Sequence, residues 1–178
     1  MKFVYFFVGL LMAQISWAQS SLQTIPMPVI TFHEVEGSGV LDTILARHAD
    51  KTIYLDFWGT WCMPCLAEMA IFPHLNQHFK DQAVDFVFLA VDSPKEEWRK
   101  TIEARRVEGD HYLLTETQYQ QLAKKLGIIS IPHHVLIGPD GTIAATPAPV
   151  PCKEGVSKPE INEKLVTLIK KIVGRNAK

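Results

Sequence analysis

Apolar positions in this chain fall into two alternating kinds: short continuous or alternating runs, and longer ones spaced three and four residues apart. Residues 29–35 alternate well enough for a first strand. After a Gly37-Ser38-Gly39 turn, with Ser38 as N-cap, Val40, Leu41, Ile44 and Leu45 mark one face of a short helix. Thr52–Trp58 is apolar nearly throughout, as a central strand covered on both faces would be. Leu66, Met69, Ala70, Phe72, Leu75 and Phe79 then recur at helical spacing, and Pro73 inside that pattern should kink the helix. Residues 84–91 read as another buried strand.

Ser93, Pro94 and Glu96 predict a capping box, with Pro94 at the first helical position. Trp98, Thr101, Ile102 and Arg105 form the inner face of that helix, Arg105 contributing its aliphatic stem. Residues 112–114 make a short extended segment. Tyr119, Leu122, Ala123 and Leu126 mark a further helix closed by Gly127. A strand over His133–Ile137, a Pro139-Asp140-Gly141 turn and a partner strand over 142–145 follow. Residues 146–159 hold four prolines and predict an irregular crossing. Ser157 with Glu160 predicts the cap of a last helix lined by Ile161, Leu165, Leu168, Ile169 and Ile172. Strands alternating with helices and ending in a hairpin plus helix indicate an α/β sandwich with a mixed sheet.

The 178 residues, 47% hydrophobic, suit one well-packed domain. Residues 1–18 stand apart: Lys2, an apolar core over 3–12, then Ser16-Trp17-Ala18. This pattern predicts a signal peptide cleaved between Ala18 and Gln19, since the apolar run is short for a membrane span. Residues 19–28 read as a loose lead-in, and 29–178 as the folded domain. Loss of the first 18 residues removes Lys2 and no acid, leaving 17 basic residues against 19 acidic ones. No basic footprint remains, so nucleic acid is not an expected partner. Export places the protein where disulfides persist. Three cysteines, an odd count, cannot all pair within one chain.

Two of them, Cys62 and Cys65, stand two residues apart where the apolar run over 53–58 gives way to a helical pattern. The first sulfur therefore lies at a helix N-terminus, where unsatisfied N–H groups and the macrodipole stabilise a thiolate. Cys62 is the expected nucleophile and Cys65 the resolving thiol, able to close a disulfide with it. A zinc site would want two further ligands at matching spacing, and Cys152 is the only other cysteine. No cofactor beyond the redox-active Cys62–Cys65 disulfide is expected. Asp56 lies between Leu55 and Phe57, in a run whose burial suits a proton-exchanging carboxylate.

At these residues the chain resembles the thioredoxin superfamily, and within it the exported TlpA/ResA-like thiol–disulfide oxidoreductases. The resemblance covers about residues 28–173. It is carried by D-F-W-G-T-W-C-M-P-C over 56–65, by Ser130-Ile131-Pro132 at the place of the family's cis-proline, and by G-P-D-G-T-I over 138–143. It implies a thioredoxin-like three-layer sandwich, a central mixed β-sheet flanked by helices. It implies that Asp56 is the proton relay of the resolving cysteine, although many of these proteins carry Asn there. It implies that Glu68, one turn beyond Cys65, helps set the ionisation of the thiols. Pro132 is expected to be cis, with the backbone of Ile131 pairing with a substrate chain; Trp58 and Trp61 are expected to pack around the disulfide and form part of the docking surface, with Met63 and Pro64 also meeting the substrate. Ala70 stands where the family tends to carry Pro, and Cys152 has no counterpart in it.

Pro64 before the second cysteine resembles the reducing members, and Met63 adds no charge. The expected activity is therefore reduction of disulfides in exported clients, apocytochrome c among them, with electrons from a membrane donor of the DsbD/CcdA type. A disulfide oxidase or isomerase is the alternative. A copper metallochaperone using Cys62, Cys65 and His133 is a reading from another class. His133 and His134 replace the small residue usual after the cis-proline, and either could stabilise the Cys62 thiolate.

Overall fold

The computed structural model describes residues 27–153 and 159–174. The signal peptide expected over 1–18, most of the expected lead-in and the expected Ser157 cap lie outside the described residues. Six strands form one sheet in the order β1-β4-β3-β2-β5-β6. They are β1 (Ile30–His33), β2 (Thr52–Trp58), β3 (Val84–Ala90), β4 (Gly109–Leu113), β5 (His133–Ile137) and β6 (Ile143–Ala145). The first four run parallel; β5 runs antiparallel to β2, and β6 antiparallel to β5. Every residue of β2 is buried, as a strand covered on both faces requires.

Pleating divides β2 between two cores. Tyr54 and Trp58 face one core, shared with Phe86, Phe88, Leu136, Cys62 and Cys65. Ile53, Leu55 and Phe57 face the other, with Val87, Leu89, Val135 and Ile137. Helices α1 (Val40–Arg47) and α5 (Glu116–Leu126) cover the second core. The first lies under α2 (Met63–Glu68), α3 (Phe72–Phe79), α4 (Lys95–Arg105) and α6 (Glu163–Val173). The result is the three-layer sandwich with a central mixed sheet.

Several local expectations need correction. Pro73 does not merely kink a helix: α2 stops at Glu68, a 3-10 turn covers Met69–Ile71, and α3 starts afresh with Pro73 in its first turn. A proline has no N–H to lose there, so the break places it where it costs least. Gly39, not Ser38, occupies the N-cap of α1, without a side-chain bond. Pro94 is itself the N-cap of α4, so Ser93 is left for another role. The cap of α5 is a full box, Thr115 with Gln118, and the Gln118 amide also donates to the Val35 and Gly37 carbonyls at 2.7 and 2.9 Å. Asn162 caps α6. The extended segment expected at 112–114 is β4, which begins at Gly109 and buries His111 within the sheet.

Candidate active site

Three segments converge at the C-terminal end of β2. Beyond Trp58 the chain turns through Gly59, Thr60 and Trp61; the Cys62 N–H donates to the Gly59 carbonyl at 3.0 Å. A Cβ on Gly59 would stand 2.9 Å from Trp61 Nε1 and 3.1 Å from the Val91 carbonyl, so any side chain here would have to displace the indole. The following loop of β3 braces it from the side. Ser93 Oγ accepts the Thr60 N–H at 3.0 Å and donates to the Val91 carbonyl at 2.9 Å, while Trp61 Nε1 donates to the Asp92 carbonyl at 3.0 Å. Beside this loop opens a cavity of about 630 Å³, lined by Asp92, Ser93, Pro94, Trp98 and Leu114 among others.

Cys62 is the N-cap of α2, and its sulfur accepts the Cys65 N–H at 3.3 Å. The two sulfurs are joined in a disulfide with the Cα atoms 5.3 Å apart. Pro64 sits in the first turn of the helix, where its fixed φ is helical already. Trp61 and Met63 stand 57% and 72% exposed over a disulfide that is itself nearly covered. Trp58 is fully buried in the core behind the cysteines, so it packs against the site and takes no part in an outer surface. Arg105 departs from the expectation of an apolar stem: it is exposed, and its guanidinium donates to the Leu66 carbonyl of α2 at 2.9 Å.

Behind the disulfide, α2 and the sheet enclose three ionisable groups. Asp56 on β2 pairs in register with His134 on β5. His134 Nε2 lies 3.3 Å from Asp56 Oδ1 and 3.2 Å from Glu68 Oε2, so one imidazole bridges both carboxylates that the sequence singles out. Asp56 and His134 are almost fully buried and Glu68 largely so. Nε2 lies between two acceptors and is aligned well with neither, so charge rather than a directed hydrogen bond holds the group. Burial by itself would drive the imidazole towards its neutral form. The close polar contacts with Asp56 and Glu68, and their negative charges, outweigh it and raise the His134 pKa to about 9. The Tyr54 ring stacks on His134 at 5.3 Å between centroids, and its hydroxyl donates to the Pro149 carbonyl at 2.8 Å.

His133, the neighbour chosen from sequence as a possible metal ligand, is on the opposite side. It packs on Phe57, and its Nε2 lies 3.1 Å from Thr146 Oγ1. That hydroxyl spends its proton on the Leu126 carbonyl, so His133 Nε2 is the donor. Burial first, and the His134 charge second, push its pKa down. The set Cys62, Cys65 and His133 is therefore not brought together, because alternation along β5 turns His133 into the other core. Among the described residues no group of three His, Cys, Asp or Glu side chains is arranged to hold a metal. The Ile131–Pro132 peptide bond is cis, immediately before β5.

Nothing in the sequence singled out the Asp56–His134 pairing, because only the register of β2 against β5 joins residues so far apart. Alternation alone offered the weaker signal that one of His133 and His134 must share a face with Asp56.

A thioredoxin-like family model matches residues 50–143, more than half of the chain and all of the site except Thr146 and beyond. The thiol–disulfide oxidoreductase ResA of Bacillus subtilis is 30% identical over 93 residues, covering 52% of this chain and 50% of that protein. ResA of Geobacillus thermodenitrificans is 28% identical over 99 residues, covering 56% and 55%. The chain thus spans about half the length of these relatives. Among solved structures, the thioredoxin domain of a thiol–disulfide oxidoreductase from Bacteroides vulgatus superposes with a TM-score of 0.59 at 23% identity, covering 72% of this chain and 84% of that one. A thiol:disulfide interchange protein from Chlorobium tepidum gives 0.58 at 18%, covering 72% and 84%. With a sandwich of this topology and a helix-capping cysteine pair at the end of its central strand, the chain belongs to the thioredoxin-like family.

Proposed function

We propose that the protein is a thiol–disulfide oxidoreductase of the cell envelope that reduces disulfides in exported client proteins. The observation that carries this reading is the placement of Cys62 at the N-cap of α2, bonded to Cys65 one turn further on. The oxidoreductase names of its relatives support the same reaction. In the reductive direction both cysteines begin as thiols. The Cys62 thiolate attacks one sulfur of the client disulfide; the other client sulfur leaves as a thiolate and takes up a proton. Cys65 then loses its proton to the carboxylates behind it and attacks the Cys62 sulfur. The Cys62–Cys65 disulfide forms, and the second client sulfur departs as a thiolate and is protonated. Two electrons and two protons pass from the protein to the client.

Asp56 serves as the proton relay for Cys65, and Glu68 sets the charge beside the thiols. Trp61, Met63 and Pro64 offer the client an exposed rim, and the Ile131 backbone before cis-Pro132 offers it an edge to pair with. Export through the leader over 1–18 places the protein where such clients, apocytochrome c among them, carry disulfides. A membrane donor of the DsbD/CcdA type then returns the electrons.

The test is insulin disulfide reduction by the wild-type protein and by Cys62→Ser. Activity in the first and none in the second supports the reading; retained activity in Cys62→Ser contradicts the assignment of the nucleophile. The reduction potential decides the direction. A value near roughly −250 mV supports a reductant, and one near about −120 mV the oxidase alternative.

A further inference from the structure

We infer that His134 is a positioning residue of the proton relay, whose imidazolium makes Asp56 and Glu68 work as a single base beneath the dithiol. The inference rests on the thiol–disulfide reading and adds to it a residue that neither the cysteine motif nor its flanking carboxylates contain.

The geometry is that of one cation between two anions. Asp56 approaches His134 Nε2 from β2 at 3.3 Å, and Glu68 approaches the same atom from α2 at 3.2 Å. An imidazolium between them offsets the charge of one carboxylate. One carboxylate charge is left over, shared by the three groups. That is the charge of one general base. When Cys65 gives up its proton to this group, the group becomes neutral as the thiolate forms, so no second buried negative charge accumulates next to the sulfur. Glu68, three residues beyond Cys65 on α2, lies on the same helical face.

The other groups packed around His134 leave it this role. On β2 the neighbour on the same face is Tyr54, whose hydroxyl is held far above its ordinary pKa, first by burial and then by Asp56, Glu68 and Cys152, so it stays neutral. On α2 the remaining titratable neighbours are the cysteines. The His134 carbonyl accepts the Ala148 N–H at 2.8 Å, which ties the β5 backbone to the crossing after β6. On β5 itself His133 faces the other core and is kept uncharged there by burial. His134 is the one cation among them.

The test is the pH profile of iodoacetamide alkylation of the reduced protein, followed in wild type, His134→Gln, Glu68→Gln and the double variant, with thermal unfolding as a control of folding. Loss of the cation leaves more negative charge beside the thiols, so His134→Gln moves the profile to higher pH by about one unit. Loss of one carboxylate does the reverse, and Glu68→Gln moves it to lower pH. The double variant, with Asp56 alone, restores the single negative charge and returns the profile to that of wild type. In single-turnover reduction of insulin at neutral pH, His134→Gln slows the reaction on the order of tenfold, and the double variant recovers most of it. A merely structural role predicts no opposite shifts and no rescue. Unchanged profiles in folded His134→Gln, or a double variant shifted further than either single one, would overturn the inference. If His134→Gln does not fold, Glu68→Gln and Asp56→Asn, which keep the imidazolium, must each lower the profile; failure of both to do so overturns it equally. Alkylation needs no client, so a protein that reduces no insulin would refute the functional reading while leaving this result legible.

Discussion

Ser93 Oγ accepts the Thr60 N–H at 3.0 Å and thereby fastens the cysteine loop to the loop that follows β3. The same hydroxyl donates to the Val91 carbonyl at 2.9 Å, so one side chain closes both loops at once. Ser93→Ala leaves the Thr60 N–H without this partner. We expect a loss of about 1–2 kcal/mol in urea unfolding, with the Cys62–Cys65 bond still able to form. An unchanged midpoint would mean that water replaces the hydroxyl without cost.

Gly59 and Trp61 make a second, tighter relationship. An alanine at 59 would press its Cβ on the indole at 2.9 Å, and the Val91 carbonyl at 3.1 Å blocks retreat on the other side. Gly59→Ala should therefore swing Trp61 out of its bond to the Asp92 carbonyl. The expected result is a red shift of Trp61 fluorescence, measured against Trp61→Phe, and weaker client binding that shows in KM more than in kcat. A normal emission spectrum would contradict it.

Stability should vary with pH in opposite senses through two buried histidines. His134 carries a folded pKa of about 9 against 6.5 when unfolded. The folded state therefore binds the extra proton between these values, and this stabilisation is complete below pH 6.5 and lost as pH rises through about 9. His111 behaves in reverse. Burial drives its pKa down to about 4, its Nε2 lying 2.9 Å from the Val107 carbonyl and its ring stacked on Phe88. The unfolded chain takes up that proton first, so stability is present above pH 6.5 and falls as pH drops towards 4. Urea unfolding across pH 4–10 should show both limbs. His134→Gln should flatten the alkaline one and His111→Phe the acidic one, each leaving the other in place.

The elements that were legible in the sequence are those in which one local signal decides the outcome. A nearly continuous apolar run made β2 recognisable, Gly127 in a left-handed conformation ended α5, and Pro139-Asp140-Gly141 announced the last hairpin. The cysteine pair at a strand–helix junction was legible for the same reason. What was misread depended on competition between partners far apart. Ser93 has the right spacing to cap α4, but the orphan N–H of Thr60 on another loop claims it. Arg105 keeps its charge at work because the Leu66 carbonyl of α2 lies within reach of its guanidinium. β4 begins with Gly109, Asp110 and His111, residues too polar to suggest a strand until β1 and β3 pair on either side. His134 is the sharpest case: its parity along β5 was readable as a choice of two, and only the register with β2 made the choice.

The central claim is that Cys62 attacks a client disulfide and that Cys65 resolves the product. Trapping tests it most directly. A Cys65→Ser variant, reduced and mixed with a disulfide-bearing client, should accumulate a mixed disulfide through Cys62 that non-reducing electrophoresis and mass spectrometry locate, while Cys62→Ser should accumulate none. An adduct formed by Cys62→Ser through Cys65, with none from Cys65→Ser, would contradict the account.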